Sequence, residues 1–140
     1  MKRRKAREYA LQALFQADFV EGKPDMPAFW SDKTEEKDVM EFTDSIVKGA
    51  LAVLPDIDRE LQEACENWKL DRLAAVDRAI MRAAAYELIY RNDIPPAVSI
   101  NEALEIAKKF SSQESASFIN GVLDRIARKH KRITAKAGGK

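Results

Sequence analysis

The chain has 140 residues, 46% of them hydrophobic and 34% charged, with a formal net charge of +1. This size supports one domain with its own core, and near-neutrality excludes a protein drawn to nucleic acid by its overall field, so any electrostatic footprint must come from segregated charge. The single cysteine, Cys65, excludes an intrachain disulfide and suits a reducing compartment. No apolar run approaches the ~20 residues of a bilayer span and none reads as a signal sequence, so a cytoplasmic protein that engages no membrane is expected.

The chain opens on a basic run, Lys2, Arg3, Arg4, Lys5 and Arg7, that continues directly into a helical pattern. At 100° per residue, Ala6, Ala10, Ala13, Leu14 and Ala17 share one face, small enough for close docking against other helices. Arg4, Arg7, Leu11 and Phe15 fall on another side, which puts an aromatic on the same stripe as two guanidiniums. Such a stripe suits single-stranded nucleic acid, where cations hold phosphates and rings stack on bases. It equally suits a helix with a wide core face and a solvated basic start.

This helix is expected to end near Val20, before Gly22 and Pro24. Residues 22–34 read as a loop carrying Phe29 and Trp30. A second helix runs from about Thr34 to about Leu54 on Val39, Phe42, Ile46, Ala50 and Val53. Gly49 in its interior costs about 1 kcal/mol against alanine, which a close helix contact would explain. After Pro55, the positions Ile57, Leu61, Ala64 and Trp68 outline a short third helix. The stretch Arg72–Tyr90 is apolar around most of its circumference and marks a central, surrounded helix, with Arg82 and Glu87 as satisfied structural charges.

The segment 92–96 is a break, because two prolines disfavour helix at and before them. Ser99 and Glu102 match a capping box, as do Ser111 and Glu114. Ile100, Ala103, Leu104, Ala107 and Phe110 give the fifth helix its buried stripe, and Ile119, Val122, Leu123 and Ile126 serve the last, which ends near Arg128. Phe118 borders that stripe, able to finish the core or to present its ring. Residues 134–140 have nothing to bury and are expected to be a mobile tail beyond one helical domain over 1–133. The result is an all-α chain of about seven helices, with two helical groups before and after about residue 69.

Support for catalysis is poor. His130 is the only histidine and lies in a basic run, Cys65 has no histidine partner, and there is no glycine-rich phosphate loop and no Cys/His metal cluster. Neither a cofactor nor a metal is expected.

Three stretches together resemble the NusB family: the arginine-rich opening from Arg4 to Phe15, the central segment from Asp77 to Leu88, and the pattern from Val98 through Phe110 to Glu114, Phe118 and Asp124. They follow in the right order over most of residues 2–127. The resemblance implies an all-helical fold of two small bundles. It implies binding of boxA-type RNA together with the ribosomal protein NusE, in an RNA polymerase antitermination complex that supports ribosomal RNA operons. Carried over by position, the RNA-facing residues are Lys2, Arg3, Arg4, Arg7, Phe15, Glu114 and Phe118, and the NusE-facing residues are Asp71 and Asp77. Phe15 stands where tyrosine is common and Glu114 where some relatives carry aspartate, which bears on contact details. A homodimer is compatible with the same resemblance. Two rival readings are a helical adaptor that binds only proteins and an accessory domain of an RNA methyltransferase; the short chain favours a free-standing factor over the latter.

Overall fold

The computed structural model describes residues 2–20 and 23–130, which form seven α-helices and no strand. They are α1 (Arg3–Ala17), α2 (Met26–Trp30), α3 (Lys37–Ala52), α4 (Leu54–Cys65), α5 (Ala75–Tyr90), α6 (Pro96–Phe110) and α7 (Gln113–Lys129), with one 3₁₀ turn at Leu70–Arg72. None is long and apolar enough to cross a membrane. The expected tail at 134–140 lies outside the described residues.

Helix α5 is the shared wall. Its alanines let α1, α3, α4, α6 and α7 all pack against it. The division between helical groups therefore falls after α3, at Val53, and not near residue 69: α4 packs on α5 and α7, and only lightly on α3. Chain order misled here because Val53 breaks the helix within one residue, and Pro55 starts α4, where a missing N–H costs little.

Close approach on the α1 side is built from small residues. Ala6, Ala10 and Ala13 are buried, and the Thr43 hydroxyl donates to the Ala6 carbonyl across the helix pair at 3.1 Å. A Cβ at Gly49 would overlap the Tyr86 ring, so this glycine answers a contact between α3 and α5.

Several local expectations are revised. Helix α1 stops at Ala17. The expected loop contains α2, because Asp25 accepts from the Ala28 N–H at 3.1 Å and Pro27 occupies the first turn. Phe29 and Trp30 dock into the core, Trp30 donating to Asp44 at 2.9 Å. Trp68 lies beyond α4 and is exposed; α4 ends at Cys65 and is capped by Glu66, whose φ is 57°. Gln62 then clamps the turn, donating to the Trp68 carbonyl and accepting from the Leu70 N–H. The capping boxes also move. Helix α6 starts at Pro96, so Ser99 is inside its first turn, and the cap of α7 is Ser112, which accepts from the Ser115 N–H at 2.9 Å. Glu114 is thereby the second residue of α7, not the third. Phe110, assigned to a buried stripe, is exposed at the end of α6.

Candidate nucleic-acid interface

The first turn of α1 and the outer face of α6 lie side by side and run in the same sense, since Arg4 meets Glu102 and Glu8 meets Lys109. Both Nε and Nη2 of Arg4 donate to the two Glu102 carboxylate oxygens at 2.8 Å, a fork-to-fork pair. Lys5 reaches Glu35 at 2.7 Å, and the Tyr9 hydroxyl donates to the same carboxylate at 2.8 Å. Lys109 meets Glu8 at 3.2 Å.

One pattern runs through all three pairs: the cation is outside and the carboxylate beneath it. Side-chain exposure is 52% for Arg4 against 20% for Glu102, 48% for Lys5 against 5% for Glu35, and 61% for Lys109 against 17% for Glu8. Hydrogen bonding and charge follow the same geometry. Donors from Lys5 and Tyr9 hold the Glu35 carboxyl down to about 2. The Arg4 hydrogen bond holds Glu102 below the ordinary carboxylate range, and Glu102 in turn raises Arg4. Lys2 and Arg3 are also exposed, and the Arg3 guanidinium stands 4.7 Å above the Phe42 ring.

Arg7 does not share this face. It is buried, donating through Nε and Nη2 to Glu87 at 2.9 Å, while the Ser99 hydroxyl donates to Glu87 at 2.7 Å. The reading of Arg7 as an RNA contact is therefore revised. Arg7 lies only about 60° round α1 from Arg4, on the border that packs against α5, and a guanidinium there is tolerated only because a buried carboxylate meets it. Arg82 is likewise structural, bonded to Asp58 and Asp18, and Arg78 joins it on Asp18.

Phe15 is separated from the basic turn. Eleven residues of helix put it about 16 Å along α1 from Arg4, at the end that Asp18 ties to Arg78 in the first turns of α5. Phe15 is 38% exposed and meets Phe19 edge to face at 5.0 Å, forming a small apolar surface there. Asp77 lies at this same end of α5. Its Oδ2 accepts from the Ser115 hydroxyl at 2.8 Å, and its buried Oδ1 has no hydrogen-bond partner among the described residues. Asp77 is thus an enclosed acceptor and not a rim charge. Asp71 is exposed on the 3₁₀ turn, Glu114 is exposed at the start of α7, and Phe118 is half-buried against the core one turn later.

The sequence pattern assigns Lys109 no role and Phe110 a buried one. Lys109 Nζ stands 5.1 Å from the Phe110 ring centroid, and both are exposed. The signal was present as two lysines next to an aromatic at a helix end, but the 3.6-residue spacing drew Phe110 into the core stripe.

Fold and surface together define an all-helical binding protein with a cationic edge on α1 and α6 and a separate apolar and acidic end at α5. The chain belongs to the NusB family, whose sequence model matches residues 4–128. It is 41% identical over 140 residues to the transcription antitermination protein NusB of Thermodesulfovibrio yellowstonii, covering 91% of this chain and 93% of that protein. The fold superposes on T. maritima NusB with a TM-score of 0.83 at 37% identity, covering 92% of each chain. It also superposes on a chain from the crystal structure of the antitermination factors NusB and NusE in complex with dsRNA, with a TM-score of 0.82 at 25% identity over 92% of this chain and 99% of the other.

Proposed function

We propose that this protein is an RNA-binding transcription antitermination factor that engages boxA-type RNA together with a NusE-type ribosomal protein. In this role it serves the RNA polymerase antitermination complex on ribosomal RNA operons. The observation that carries the reading is the outward set of cations on α1 and α6, held above shielded carboxylates in a chain of this family. Lys2, Arg3 and Arg4 supply phosphate contacts and steering; Glu114 and Phe118 flank the Ser115 that bonds Asp77, so they stand at the far end of this edge, where only a longer RNA would reach them. Arg7 serves this side indirectly, by fixing the direction of α1.

The NusE-type partner meets the other end. Asp71, exposed on the 3₁₀ turn, offers an acidic group to a basic ribosomal protein, and the enclosed Asp77 holds the start of α7 in place behind it through Ser115. Phe15, first assigned to RNA, fits this end better by its distance along α1 from Arg4 and by the Asp18–Arg78 tie beside it.

The test is fluorescence anisotropy with boxA-type, scrambled and duplex RNA, each with and without the NusE-type protein. The reading expects tighter binding of boxA-type RNA, strengthened by the partner. Phe15→Ala should weaken the partner's contribution and leave binding of RNA alone intact. Equal affinity for all three RNAs with no partner effect would overturn it, and absence of RNA binding with the NusE-type protein still bound would favour an adaptor that binds only proteins.

A further inference from the structure

The cations of the RNA edge are not equally available. Lys5 and Lys109 are point charges on flexible stems, and an ammonium that meets one carboxylate keeps other N–H donors for a second anion. Arg4 is different: its Nε/Nη2 edge, one of the two that can receive a phosphate bidentately, is fully taken by Glu102. An approaching phosphate therefore meets a neutral pair. The partners also differ in freedom. Glu102 sits one turn after Ser99, whose hydroxyl is bonded to buried Glu87, so the backbone of α6 is pinned there. Arg4 is the second residue of α1, and its side chain is half exposed. When the pair opens, the arginine moves and the carboxylate stays.

We propose that Glu102 is an intramolecular stand-in for phosphate that holds Arg4 in reserve and sets the affinity of the RNA site. The inference rests on the RNA-binding reading above and adds its regulation. RNA gains the Nε/Nη2 fork of Arg4 only by replacing the Glu102 carboxylate, and contact through the remaining Nη1 side meets a charge already balanced by Glu102. The Arg4–Glu102 pair is a brake on every RNA, because charge at this position reads no bases.

The experiment measures RNA affinity over a salt series for wild type, Glu102→Gln, Arg4→Ala and the double variant, using labelled boxA-type and scrambled RNA. Glu105→Gln is the control, since it removes the same charge one turn along α6 from a residue paired with Lys108. Glu102→Gln should tighten binding of both RNAs roughly 3- to 10-fold near 0.1 M salt. It should also steepen the slope of log K against log salt by about 0.7, one further phosphate neutralised on a single strand. Glu105→Gln should do markedly less, and the Glu102→Gln gain should largely vanish when Arg4 is already alanine. Weaker binding by Glu102→Gln, with the melting temperature unchanged, would overturn the inference in favour of a carboxylate that merely orients Arg4. A gain equal to that of Glu105→Gln would overturn it as a general charge effect. If Arg4→Ala itself leaves affinity and slope unchanged, the RNA-binding reading of this edge fails instead.

Discussion

Replacing Arg7 by alanine separates a structural arginine from a binding one. The side chain is 6% exposed and makes two 2.9 Å bonds to Glu87, which is 2% exposed and also receives the Ser99 hydroxyl. Removing the guanidinium leaves a buried carboxylate with one donor instead of three. Loss of one partner of such a pair costs about 3–5 kcal/mol, in line with two charge-assisted hydrogen bonds at about 1.5–3 kcal/mol each. For a domain of this size, roughly 3–5 °C per kcal/mol converts that to a fall of roughly 10–20 °C in Tm. Thermal unfolding followed by circular dichroism measures it directly. RNA affinity, taken well below the transition, should stay within about 2-fold of wild type, an estimate for a substitution remote from the bound phosphates. Arg7→Met with Glu87→Leu and Ser99→Ala removes every polar member at once and should recover most of the lost stability. The reasoning is refuted if Arg7→Ala melts with wild type and weakens RNA binding as Arg4→Ala does.

Other outcomes follow from single contacts. Gly49→Ala should destabilise, because the new methyl meets the Tyr86 ring; in a Tyr86→Ala background the same substitution should stabilise by about 1 kcal/mol, the helix preference of alanine over glycine. Ser112→Ala should lose about 1 kcal/mol with its cap, whereas Ser111→Ala should change Tm little, and thermal melts of the two distinguish the assigned cap. Glu35 titrates in the fold at about 2, below its ordinary 4.5, because Lys5 and Tyr9 donate to the ionised form. Its stabilising effect is therefore fully present above pH 4.5 and is lost as pH falls toward about 2. Urea melts of wild type and Glu35→Gln should differ by a constant amount near neutrality and converge in acid.

Much of the fold was legible because burial is periodic. The alanine face of α1, the surrounded helix α5 and the structural roles of Arg82 and Glu87 all follow from which positions can be apolar and which charges need partners. What failed was local or long-range. Asp25 and Pro27 form a one-turn helix that composition alone reads as loop, since the same residues start turns and helices. Ser99 looks like a cap in the sequence; its hydroxyl instead bonds Glu87, twelve residues earlier and on another helix. For the site, the stripe through Arg4, Arg7 and Phe15 was drawn on an isolated helix. Packing on α5 removes Arg7 from the surface and leaves Phe15 about 16 Å from Arg4. No local pattern foretells that Glu102, ninety-eight residues away, occupies the Arg4 fork.

The most direct test is the salt dependence of RNA affinity for wild type and for a variant with Lys2, Arg3 and Arg4 all changed to alanine. If this edge holds phosphates, the slope of log K against log salt should be roughly −2 to −3.5 in wild type and should shrink by about 1.4 in the variant, about 0.7 each for Lys2 and Arg3, since Glu102 already balances Arg4. A slope unchanged by the triple substitution would contradict the assignment of RNA to the first turn of α1.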